Sequence, residues 1–155
     1  MTRFLSLAPV LIVGLLSVAF LPGEEFRTVR WWMLQDVSFE DVYDAERDQY
    51  FLKPIFGEKV LALNNQLIEI SGYVIPVDVS GGLYVLSAYP FSACYFCGGA
   101  GPESVMQLNF KAIPKEKLKT DDYISFRGRL KLNSTNYEDL NYILLNAEKA
   151  PEGDK

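Results

Sequence analysis

Residues 123–133 alternate with a period of two. Ile124, Phe126, Leu130 and Leu132 fall on one side with Gly128 among them, and Ser125, Arg127, Arg129 and Lys131 fall on the other. Successive side chains of a pleated strand point to opposite faces, so this pattern places one face on a core and the other in water. It predicts that Ile124, Phe126, Leu130 and Leu132 are buried and that Arg127 and Arg129 are exposed. A helix would scatter the same apolar set around its circumference. The aromatic content, 14% of residues, also suits sheets and half-buried surfaces.

Other segments read the same way. In residues 67–77, Ile68, Ile70 and Val74 share one parity and Gly72 sits between them as a bulge or bend signal. Ser80-Gly81-Gly82 is a tight turn into a second strand, residues 83–89, and the two predict a hairpin. Residues 90–102 form a long loop that carries both cysteines. Residues 104–110 are a third strand, with Val105, Gln107 and Asn109 alternating against Met106, Leu108 and Phe110. Residues 113–118 suggest a short helix begun at Pro114, and residues 142–147 a last strand. Five strands, a glycine bend in the first, and a helix between the third and fourth predict a mostly β fold: a small five-stranded Greek-key (OB-like) barrel over residues 59–150. Residues 22–58 read as an irregular lead-in packing on that domain, with Trp31-Trp32-Met33-Leu34 packed beneath it or, beside an uncleaved anchor, at a membrane interface, and with Ser38-Phe39-Glu40-Asp41-Val42 as a short helical turn or an edge strand. Residues 151–155 read as a frayed polar tail.

The chain start has the character of an export segment. Residues 4–21 are uncharged and largely apolar after Arg3, and Ser17-Val18-Ala19 offers small residues before a cleavage point after Ala19. Residues 1–21 are therefore expected to be a signal peptide, or a membrane anchor if uncleaved. The absence of a nearby cysteine excludes a lipoprotein signal. The expected location is the periplasm or the outer face of the inner membrane. A formal charge of −5 and a pI near 4.8 oppose phosphate polyanions, so nucleic acid is not an expected partner.

The sequence contains no histidine. A Ser-His-Asp hydrolase is thereby excluded, and the usual imidazole metal ligand and general base are missing. Chemistry must run on sulfur, carboxylates and backbone groups. Cys94-Tyr95-Phe96-Cys97 holds both cysteines, and Gly98-Gly99-Ala100-Gly101-Pro102 follows. Two thiolates at this spacing, Cys94 and Cys97, with Glu103 as an auxiliary oxygen, form a partial metal site for Zn²⁺ or Cu(I). Zinc would need water or a partner to complete four ligands. Two other readings stay open: a cycling dithiol, against which the glycines count because they oppose a helix at the first cysteine, and a disulfide that only braces the loop. The glycines match no phosphate-cradling pattern. Asn133-Ser134-Thr135 matches a glycosylation sequon, relevant only in a eukaryotic secretory route. Arg127, Arg129 and Lys131 form a basic row, ordinarily a solvated face.

Leu63-Asn64-Asn65-Gln66-Leu67-Ile68-Glu69-Ile70-Ser71-Gly72-Tyr73-Val74-Ile75-Pro76, then Leu86-Ser87, Pro90, Cys94-Tyr95-Phe96-Cys97-Gly98 and Gly101-Pro102-Glu103, resemble the first barrel strand and cysteine loop of a family of small exported bacterial proteins of unassigned function. Some members are encoded beside transporters linked to zinc uptake. The resemblance covers roughly residues 54–147. It implies an exported barrel-like domain, a link to metal handling, and an envelope transporter or membrane protein as partner. The expected function is a non-enzymatic envelope binding or accessory protein that assists metal uptake through the Cys-x-x-Cys loop. The alternatives are a thiol-disulfide oxidoreductase and a structural interaction domain.

Overall fold

The structure is a computed structural model and describes residues 25–151. The expected export segment, residues 1–21, and the tail beyond Pro151 lie outside the described residues. In chain order the elements are β1 (Arg27–Thr28), a 3-10 turn (Trp31–Leu34), β2 (Val37–Asp44), β3 (Gln49–Phe56), α1 (Glu58–Leu61), β4 (Leu67–Asp78), β5 (Leu83–Ser87), three further 3-10 turns, β6 (Val105–Phe110), β7 (Tyr123–Leu132) and β8 (Tyr142–Lys149).

Five strands close into a barrel in the order β4-β5-β6-β8-β7, with β7 returning to β4. All barrel pairings are antiparallel except β6 with β8. This is the Greek-key, OB-like order expected from the sequence. Closure depends on β4, whose first half pairs with β7 and whose second half pairs with β5, the exchange falling at Tyr73. Gly72 sits at that bend. A Cβ there would meet the Ser87 carbonyl oxygen at 2.6 Å, so the backbones can approach only because the residue is glycine. On β8, Asn146 takes a positive φ of 53° as the register shifts against both neighbours, a bulge that bends the strand around the barrel.

The inward side chains are those the alternation selects. Ile68, Val74, Leu86, Met106, Phe126, Leu130, Tyr142 and Leu144 have no exposed surface. Ile124 and Leu132 are partly buried against the same core. The lead-in, with α1 and the residues just after it, plugs one end of the barrel: Val29 and Leu34, then Val60 and Leu63, join the core. The Tyr142 hydroxyl donates to the Leu34 carbonyl at 2.7 Å, and Trp31 Nε1 donates to the Ser71 carbonyl at 2.8 Å. Trp32, between them, stays exposed.

Three expectations need correction. The lead-in is not irregular, because Val37–Asp44 and Gln49–Phe56 form an antiparallel hairpin in continuous register. Its turn is made by Asp44, whose carboxylate accepts from the Glu46 and Arg47 amides, and by Asp48 at φ 51°. Second, residues 113–118 are not helical; the helix among the described residues is α1, ahead of the barrel. Leu118 is instead buried in the core while the Asp122 carboxylate accepts from the Lys119 amide at 2.7 Å, and these two contacts hold the segment on an irregular path. Third, Arg127 and Arg129 are half-buried. Arg127 pairs with Glu148 at 2.9 Å and lies over the Phe26 ring, and Arg129 donates to the Asn65 carbonyl at 2.7 Å. Two members of the basic row are thus engaged within the protein, while Lys131 stays exposed.

Candidate functional site

The outer face of β4, β5 and β6 carries Ile75, Val85 and Val105, which a bare barrel would leave in water. Residues 88–104 fold back over them. The loop is closed at its base by the Ala88 amide on the Ser104 carbonyl, 2.9 Å, and tied at its side by the Phe91 amide on Asp121, 2.7 Å. Its 3-10 turns are Phe91–Ala93, Tyr95–Cys97 and Pro102–Ser104. The outcome is a second small core of Ile75, Val85, Cys94 and Val105, flanked by Tyr95 and Leu140.

The two cysteines have different situations within this loop. Cys94 is fully buried in the second core, and Cys97 is exposed. The Cys94 carbonyl accepts from the amides of Cys97 (3.2 Å) and Gly99 (3.1 Å), which winds the segment into a tight turn. Gly98 ends the turn at φ 73°, a left-handed conformation that a glycine adopts without a Cβ clash. Both thiols are free. The Cys97 thiol is pushed above its ordinary range, first by desolvation and then by the adjacent Cys94 sulfur. A single 3-10 turn supplies no long helix dipole to oppose that.

Glu103, the expected third ligand, lies in the last turn of the loop with its carboxylate folded over Gly101. Its charge, like that of Asp36, acts on the Tyr142 phenol, at the end of the barrel plugged by the lead-in. The structure thus places Cys94 and Cys97 at the two ends of one turn and Glu103 in the last turn of the same loop. Among the described residues no three Cys, Asp or Glu side chains gather as a metal-binding group.

One neighbouring feature was not read from the sequence. Between β3, the cysteine loop and the β7–β8 connection lies a cleft of about 350 Å³, with Tyr50, Tyr95, Tyr137, Asn136 and Asp139 on its walls. Its signal was the run Asn133-Ser134-Thr135-Asn136-Tyr137, seen only as a sequon match. Asn133 is in fact buried, its amide donating to the carbonyls of Asn136, Asp139 and Leu140 and its oxygen accepting from the Thr135 and Asn136 amides. That side chain organises the loop.

No protein-family model, curated protein or solved structure matches this chain.

Proposed function

We propose that the protein is an exported binding module of the bacterial envelope that offers a soft metal ion a two-thiolate seat at Cys94 and Cys97, in exchange with a membrane-protein partner. The observation that carries this reading is the pairing of a buried and an exposed sulfur in one tight turn. Two thiolates suit Cu(I) by themselves, whereas Zn²⁺ would take its remaining ligands from water or from the partner. An incompletely saturated ion reached through exposed Cys97 favours transfer over permanent storage. The apolar chain start and the family resemblance support the envelope address and the link to metal uptake. A thiol-disulfide oxidoreductase is the weaker reading, because an attacking cysteine works best with a lowered pKa and Cys97 is shifted the other way.

Titration of the reduced protein with Cu⁺ and Zn²⁺ against a chromogenic chelator tests this. Wild type should take up metal and the Cys94→Ser/Cys97→Ser double variant should not. Binding releases thiol protons, and the Cys97 pKa is raised, so affinity should still be climbing with pH through neutrality and should fall as the solution is acidified. Equal uptake by wild type and the double variant would remove the loop from the functional account. Disulfide-exchange activity lost in either single cysteine variant, with no metal uptake, would establish the oxidoreductase instead.

A further inference from the structure

The cleft beside the cysteine loop is built from three segments that are each fixed by other contacts. Phe51 of β3 stacks against Tyr137 with ring centroids 3.5 Å apart, which docks the hairpin on the β7–β8 connection. Gln107 of β6 holds that connection from below: its Nε2 donates to Asp139 at 3.0 Å and its Oε1 accepts from the Leu140 amide at 3.3 Å. Asn136 donates to the other Asp139 oxygen at 2.8 Å. Tyr95 enters from the cysteine loop, where it packs against the second core. The walls therefore do not need to assemble around a ligand, and the volume is that of a small-molecule site.

The lining selects the ligand chemistry. Tyr50, Tyr95 and Tyr137 present aromatic surface, with Tyr50 72% and Tyr137 43% exposed. Asn136, Asp139 and Asn141 supply amide and carboxylate groups. Each Asp139 oxygen accepts one bond from within the protein and keeps a second lone pair, and the Asn136 amide keeps one N–H. Among the described residues that line the cleft there is no lysine or arginine. An anion would find no counter-charge and would meet the Asp139 carboxylate. A purely apolar ligand would strand the polar groups without partners. A pyranose satisfies both halves: its C–H face lies on the negative face of a tyrosine ring, and its hydroxyls bridge amide and carboxylate.

We propose that this cleft is a binding site for a neutral saccharide unit, separate from the thiol pair. The ligand is a hexose or N-acetylhexosamine residue, free or within a glycan chain.

The test is a titration of the purified protein with chitotetraose, cellotetraose and maltotetraose at millimolar concentration, followed by amide NMR. At least one of the three should shift the amides of residues 136–141 and of Tyr50. Tyr50→Ala, an exposed position whose loss spares the fold, should weaken that binding about tenfold, and Tyr50→Phe should retain it. Asn141→Ala should weaken it as well. The proposal is overturned if none of the three sugars shifts the cleft, if Tyr50→Ala binds as wild type does, or if a sulfated oligosaccharide or a peptide occupies the cleft where neutral sugars do not. Because Cys94 and Cys97 are untouched in these variants, failure here leaves the metal titration standing, and the reverse also holds.

Discussion

The barrel and the β2–β3 hairpin are both made of paired, alternating strands, yet their apolar side chains have different fates. In the barrel, Ile68, Leu86, Met106, Phe126 and Leu130 are completely enclosed. In the hairpin, Tyr43, Tyr50, Leu52 and Ile55 remain 42–72% exposed. The difference is a second layer. Closure of β4 through β8 makes each strand's inner face the cover for the one opposite, and it removes strand edges from the sheet. A two-stranded ribbon has no opposite wall and is marginal by itself. This one is held at its base by Pro54, which is buried, and by Phe56, which packs on the core, and near its middle by the Phe51–Tyr137 contact. Its outer half stays available to form the wall of a cleft.

Substitutions sharpen the contrast. The largest effect is expected at Phe126→Ala, where a fully enclosed ring beside Phe110 is removed. Chemical denaturation should show a loss of about 3–5 kcal/mol, and a loss under about 1 kcal/mol would mean that the inward face of β7 does not close the core. Tyr142→Phe probes the junction between barrel and lead-in. It deletes the hydroxyl bond to Leu34 and should cost about 1 kcal/mol at neutral pH. Burial, with smaller contributions from Glu103 and Asp36, pushes Tyr142 ionisation well above the ordinary tyrosine value of 10.0. The folded state therefore holds this proton more tightly than the unfolded chain. That stabilisation is complete below about pH 10 and is lost as pH rises from there through the raised folded value. Wild type should lose stability in that alkaline window more steeply than Tyr142→Phe, and parallel pH curves would show that the phenol is not the buried group. The smallest effect is expected at Tyr50→Ala, within about 0.5 kcal/mol. A melting-temperature drop comparable with that of Tyr142→Phe would instead place the outer hairpin in the same cooperative unit as the barrel.

Much of the barrel was legible because period two is a local property. Ile68, Ile70, Val74, Phe126 and Leu130 could be assigned to one face from their own neighbours, and the Gly72 bend could be read from a glycine within a strand. Of the hairpin only an edge strand at residues 38–42 was legible, as one of two readings, and its pairing with residues 49–56 was not. Pro54 discourages a strand assignment, although the edge of a ribbon tolerates it. The turn residues Asp44 and Asp48 do their work without the Asn-Gly or Gly-Gly pair that marks a tight hairpin. The supposed helix at residues 113–118 failed because Pro114 and a short apolar pattern carry little helical preference against the pull of Leu118 into the core. Of the candidate site, the thiol pair was visible from its spacing. The placing of Glu103 was not, since eight residues lie between Cys94 and Glu103 and their relative directions depend on the whole loop.

The sequence by itself determined a β chain, the inward face of its long strands, the place of its bend and the pairing of its two sulfurs. Each of these is set by stereochemistry within a few residues. Only the tertiary structure decided what covers the outer face of the barrel. Val105 and Gln107 point away from the interior of the barrel, yet both are buried, because the cysteine loop and the β7–β8 connection lie over them. The same covering splits Cys94 from Cys97 into an enclosed and an open thiol, and sets Tyr50, Tyr95 and Tyr137 around one cleft. Burial of that kind arises between segments distant in the chain, and no local pattern records which of them will meet.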